Sequence, residues 1–206
     1  ADEDGIEALT MRRLGRRLGV EAMSLYNHVT DKDDILDRMV ELITAEFEVP
    51  TRTADWRASI RCGTISAHQV LRRHPWASSV IESRAQTGPN RLRLSRARSG
   101  PVRLHLLDAT IGVLTGAGFP MPVVLRTLMA LDSHTYGFTL QEQAWPFPVE
   151  AAPERAAAYA ADLPDEYPNM AAMVAYVATT QPGTILEFEF GLDLLLDGLE
   201  RLLPQQ

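Results

Sequence analysis

The stretch T-M-R-R-L-G-R-R-L-G-V-E-A-M-S-L-Y-N-H-V-T-D-K-D-D-I-L, residues 10–36, decides the reading of this chain. Thr10 stands where a hydroxyl can cap a short amphipathic helix whose Leu14 and Leu18 lie four apart. Gly19-Val20 stops that helix, because glycine accepts the left-handed conformation of a helix end. A second short helix is expected from about Glu21 to Val29, with Leu25 and Val29 inward. Asp31 then caps a longer helix carrying Ile35, Met39, Leu42 and Ile43 on one face. Two short helices about a tight turn form a helix-turn-helix unit, and the residue types suit a groove in DNA. Small Ala22 and Ser24 let the second helix sink into the groove, Tyr26 and His28 can donate to phosphates, and Asn27 or Met23 can meet base edges. Lys32 adds positive charge where a phosphate would dock on the amides opening the third helix.

The charge layout supports a basic head on an acidic body. Net charge over the 206 residues is −7, which alone argues against a nucleic-acid coat protein. Between Thr10 and Lys32, however, Arg12, Arg13, Arg16, Arg17 and Lys32 face only Glu21 and Asp31. Beyond Leu106 the balance reverses, with three arginines against 13 carboxylates. The 46% apolar content is that of a globular protein, and no apolar run approaches the length of a membrane-spanning helix, so a cytoplasmic location is expected. One cysteine, Cys62, can form no internal disulfide.

Outward from the head, helical periodicity dominates and no strand alternation is sustained. Pro50 to Asp55 reads as a linker; helices are expected over about 56–73, to about Arg84, 106–117, 122–143, 167–180 and 184–203, with an Ala-rich piece before Leu163. Val124, Leu128, Leu131, Thr135 and Phe138 mark one stripe of the long helix ending at Gln143. The last helix carries Phe188, Leu192, Leu195, Leu199 and Leu202 on one stripe, widened by Leu186, Phe190, Leu194 and Leu196. A helix apolar nearly all round must be buried on two sides, which a terminal helix achieves by packing on its own domain and on a second chain. Residues 83–94 and 95–106 form a tandem duplication, identical at eight of 12 positions, which reads as an insertion tolerated at a surface loop.

The ordered string of the head resembles the tetracycline-repressor family of bacterial transcription regulators. Leu18-Gly19-Val20, the run Ser24 to Val29 and Asp31-Lys32 through Leu36 carry that resemblance, and Leu131-Asp132-Ser133-His134 with Glu187 to Leu192 extend it into the body. The resemblance implies an all-α protein with a DNA-binding domain over residues 1–47, its first helix incomplete, and a ligand-binding and dimerisation domain over 48–206. It carries operator contacts over to Thr10, Arg12, Ser24, Tyr26, Asn27, His28 and Lys32, with Ala22 and Met23 at the start of the groove-facing helix. It implies a homodimer through the two apolar helices, with Phe138, Leu192, Leu195 and Leu199 in the contact, acting on double-stranded operator DNA. It also implies a small-molecule effector between helices 56–84 and 106–143, with His134 or Gln141 among its few polar contacts. Where tetracycline-responsive members have a histidine that helps hold a drug–magnesium chelate, this chain reads Ser83-Arg84-Ala85-Gln86, which points to another, mostly apolar effector.

Other chemistry finds little footing in the sequence. His68 and His74 lie six apart, the wrong spacing for two metal ligands on one helix face, so no metal or cofactor is expected. No Gly-x-Ser-x-Gly elbow, glycine-rich phosphate loop or His-Glu-x-x-His pair occurs. The expectation is a ligand-responsive repressor and not an enzyme; the alternatives are an all-helical enzyme without a recognisable motif and a structural adaptor.

Overall fold

A computed structural model of the chain describes residues 1–86 and 100–203. Of the duplicated stretch, residues 87–99 lie outside the described residues. Ten helices and no strands occur among the described residues: α1 Met11–Leu18, α2 Ala22–Leu25, α3 Lys32–Thr44, α4 Trp56–Arg73, α5 Pro75–Gln86, α6 Pro101–Gly116, α7 Met121–Gln143, α8 Ala152–Ala161, α9 Pro168–Thr179 and α10 Phe188–Glu200. Helix starts follow local chemistry. The Thr10, Asp31 and Asp55 side chains accept the amide protons of Arg13, Asp34 and Ala58 at 3.2, 2.9 and 2.8 Å, and proline opens α5, α6 and α9.

Two apolar clusters hold the molecule together. The first joins Val40, Ile43 and Phe47, at and just beyond the end of α3, to Val70 and Leu71 of α4, Trp76, Ala77, Val80 and Ile81 of α5, and Tyr136 of α7. The last turns of α3 are therefore built into the body core although the helix begins in the head. The second gathers Ile60, Val113, Leu114, Phe119, Val124 and Leu131 around Phe188, Leu192 and Leu196 of α10. Ion pairs lace α4 to α10 at the edge of that cluster: Arg61 binds Glu189 and, at 2.9 Å, Asp193, while Arg57 reaches Asp197 at 2.6 Å. The Arg61 hydrogen bond holds the Asp193 carboxyl below its ordinary range.

Several expected details differ. The second helix of the head is one turn long, because after Leu25 the chain tightens: the amides of Tyr26, Asn27 and His28 bond to carbonyls only three residues back. The last helix begins at Phe188, preceded by a 3-10 turn over Pro182–Thr184. Leu18, Leu42 and Leu202, placed inward by periodicity, are exposed. Leu196, read as widening the stripe of the last helix, is fully buried on it.

Candidate nucleic-acid interface and body cavity

The head is built so that its outer surface stays free. Gly15 lets α1 and α2 meet: a Cβ there would lie 2.9 Å from the Val20 carbonyl oxygen and 3.2 Å from the Ala22 Cα. Gly19 turns the chain with φ 70°, and the Val20 amide donates back to Gly15 at 2.9 Å. Beyond the turn, Met23 is 75% exposed, and Tyr26, Asn27 and His28 are all exposed. Arg38 of α3 donates to the His28 carbonyl at 3.2 Å, fixing this segment against the third helix. Ser24 donates its proton to the Glu21 carbonyl at 2.7 Å. It can therefore accept from a base amino group but cannot donate to a phosphate.

A basic crevice runs along α1, lined by Thr10, Arg12, Arg13, Arg16 and Arg17. Arg13 pairs with Asp4 at 2.6 Å, and Arg17 reaches Asp4 and Glu3 at 3.2 and 3.5 Å. Arg12 and Arg16, one turn apart, make no ion pair among the described residues. Arg16 is not among the operator contacts expected from sequence, although its spacing of four from Arg12 is the available signal. At the start of α3, the expectation that helix amides receive a phosphate needs correction: the Asp34 amide is already bound by Asp31, and Asp33 and Asp34 place carboxylates in the first turn. Hydrogen bonds from Arg38 and the Thr30 amide hold the Asp34 carboxyl low, so it stays charged. Lys32, exposed, is left to act through its ammonium alone.

A half-open cavity of about 190 Å³ lies in the body. Thr44 and Phe47 from the α3 end, Ile60, Gly63, Thr64 and Ala67 of α4, Arg103, Leu106, Leu107 and Thr110 of α6, and Leu128, Leu131, Asp132, Thr135 and Tyr136 of α7 line it, together with Pro50 and Ile81. The helix that carries Lys32 at one end thus forms part of the cavity wall at the other. A second link joins the same parts: the Glu41 carboxylate of α3 accepts the Val102 amide of α6 at 3.1 Å and occupies the space beside Gly100.

The remaining expected residues fall elsewhere. His134 does not line the cavity; its Nε2 meets the Phe188 carbonyl at 2.9 Å, its ring stacks on Phe188 at 4.7 Å, and it presses on Gly191, where a Cβ would sit 2.5 Å from its Cε1. That histidine joins α7 to α10. Gln141 is exposed and also outside the lining. Asp132 and Thr135, beside His134 on α7, line the cavity instead. Leu192, expected between two chains, is fully buried in the core of its own, so it supports the face and cannot touch a partner. Phe138, Leu195 and Leu199 are half-buried, and the apolar side chains left exposed on these helices are Met121, Leu125 and Met129 of α7 with Phe190 and Leu194 of α10.

Comparison with known proteins agrees with this layout. Residues 1–39 match the family of bacterial regulatory proteins, tetR family, and residues 91–203 match the tetracyclin repressor-like C-terminal domain. The chain belongs to the tetracycline-repressor family. An HTH-type transcriptional regulator of Saccharopolyspora erythraea is 33% identical over 158 residues, covering 76% of this chain and 62% of that protein. The HTH-type transcriptional repressor DrrR1 of Streptomyces coeruleorubidus is 28% identical over 218 residues, covering all of this chain and 75% of that one. In fold, the chain is similar to the tetR-family protein ActR of Streptomyces coelicolor, solved with actinorhodin, at a TM-score of 0.77 and 22% identity over 97% of this chain and 90% of ActR. As a tetR-family member the chain is a transcriptional regulator. Among the described residues no helix is long and apolar enough to cross a membrane, and no group of three His, Cys, Asp or Glu side chains is placed to hold a metal ion.

Proposed function

We propose that this regulator is a repressor that binds a pseudopalindromic operator as a homodimer in the cytoplasm and releases it when a small molecule fills the body cavity. The observation that carries the reading is α3, which presents Lys32 beside the head surface and contributes Thr44 to the cavity wall. A helix of 13 residues spans about 20 Å, so a ligand that shifts its buried end moves the head. Two heads must sit about 34–36 Å apart to enter successive major grooves, and a small swing spoils that match. The chain divides on this reading into a DNA-binding part over 1–47 and a ligand-binding and dimerisation part over 48–206.

Arg12, Arg16, Lys32, Thr10, Tyr26 and His28 hold phosphates, while Met23, Asn27 and Ser24 meet base edges over the small Ala22. Arg12 can also reach a base. The exposed apolar stripes of α7 and α10, with Phe138, Leu195 and Leu199 at their margins, pair with their symmetry mates. ActR, solved with actinorhodin on the same fold, supports a small-molecule effector. A gel shift with the DNA upstream of its own gene tests the reading. A retarded band that survives excess random DNA is expected, and its absence at low salt overturns the regulator's proposed operator.

A further inference from the structure

The threonines and the arginine of the body cavity define the chemistry of its occupant. Thr44, Thr64, Thr110 and Thr135 come from four different helices, and each hydroxyl donates to a carbonyl one turn back on its own helix, at 2.8 Å in every case. A hydroxyl with its proton so engaged offers only lone pairs to a ligand. Arg103 is the opposite case. It lines the same cavity from the first turn of α6, and it makes no ion pair or side-chain hydrogen bond among the described residues. Asp132, the other charged residue of the lining, has an interaction of its own and forms no ion pair with Arg103.

A cation in the first turn of a helix stands against the macrodipole, and Arg103, half-buried at the cavity wall, is open to an anion that offsets this. Arginine's planar fork is the geometry that takes a carboxylate through two parallel hydrogen bonds. We infer, on the repressor reading above, that the effector is a compact ring compound with one anionic group held by Arg103 and hydroxyl groups received by the threonine oxygens. The placement also explains how the ligand is sensed. Arg103 follows Val102, whose amide is bound by Glu41 of α3, so an anion drawn to this turn acts on the contact between α6 and α3.

The test uses the full chain and two probes of equal size, 6-hydroxy-2-naphthoate and 6-hydroxy-2-naphthamide, titrated by calorimetry. Two fused rings suit a cavity of about 190 Å³. The acid is expected to bind at least about tenfold tighter than the amide. Arg103→Gln should erase that preference and Arg103→Lys should keep part of it, with circular dichroism showing both variants folded. Ala67→Leu, which narrows the cavity, should weaken both probes alike, and 2-naphthoate, lacking the hydroxyl, should bind several-fold less tightly than the hydroxy acid. Equal affinity for acid and amide, a preference that survives Arg103→Gln, or no binding of either probe overturns the assignment. The operator gel shift contains no probe, so the repressor reading stands or falls separately.

Discussion

The head and the body of this regulator use their side chains in opposite ways. Between Thr10 and Lys32 only Gly15 and Leu25 are buried, while Arg12, Arg16, Met23, Tyr26, Asn27, His28 and Lys32 are all exposed. In the body, Leu71, Leu114, Leu192 and Leu196 lose all contact with water. The head is a surface kept for another polymer and carried on the end of α3; the body is a packed interior with a hole in it. Stability and binding should therefore separate cleanly under mutation.

The sharpest test of that separation is Leu192→Ala. Truncating a wholly buried leucine should cost about 2–5 kcal/mol, read as a fall in the urea midpoint. Tyr26→Ala should leave the same midpoint within about 0.5 kcal/mol while weakening operator binding. A mild Leu192→Ala or a severe Tyr26→Ala would break the comparison. Gly15→Val probes the one buried joint of the head. Forcing side-chain atoms against Val20 and Ala22 should disrupt the α1–α2 crossing at about 1–3 kcal/mol, so operator affinity falls while the thermal unfolding of the body stays in place.

Within the head, the two kinds of DNA contact should differ in selectivity. Asn27→Ala should cost about 1–3 kcal/mol on the operator and less on random DNA, whereas Lys32→Ala should weaken both and reduce the salt slope by about one unit. Fluorescence anisotropy across a salt series distinguishes them, and identical losses on both DNAs for both variants would remove the base-reading role of Asn27.

The smallest expected effect belongs to the body and depends on pH. Burial pushes His68 below the ordinary histidine value of 6.5, outweighing the Glu142 carboxylate that meets its Nε2 at 3.0 Å. The unfolded chain thus binds this proton more readily than the folded one. The contribution of neutral His68 to stability is fully present above the ordinary value and is lost as pH falls through the depressed one. Urea midpoints measured from about pH 7.5 to about 5 should decline, and more steeply in the native chain than in His68→Phe. Parallel curves would show that His68 contributes nothing to the slope.

The same contrast explains what could be read in the sequence. The head was legible because its turn depends on local chemistry: Thr10 and Asp31 cap their helices, and Gly19 takes the left-handed conformation that stops α1. Body helices are legible by period, which puts Phe188 and Leu192 on one apolar stripe, but period cannot say which side of α10 meets solvent, and Leu192, expected between two chains, is buried within its own. His134 was misplaced for a related reason. Its partners are the Phe188 carbonyl and the bare backbone of Gly191, more than 50 residues away, and no local pattern announces a close approach between two helices. The cavity was the least legible part, since its lining is drawn from segments between Thr44 and Tyr136 that meet only after folding. Gly15 went unremarked because a helical glycine looks like a weak helix former until the neighbouring backbone is seen beside it.

Gly100 has a practical consequence for anyone who would rewire this regulator as a sensor. The Glu41 carboxylate fills the place that any side chain at position 100 would need, so even alanine there must push that carboxylate off the Val102 amide. On the proposed reading, residues 10–32 select the DNA and the cavity wall selects the small molecule. On that reading the Glu41 latch does neither: it sets the gain between input and output.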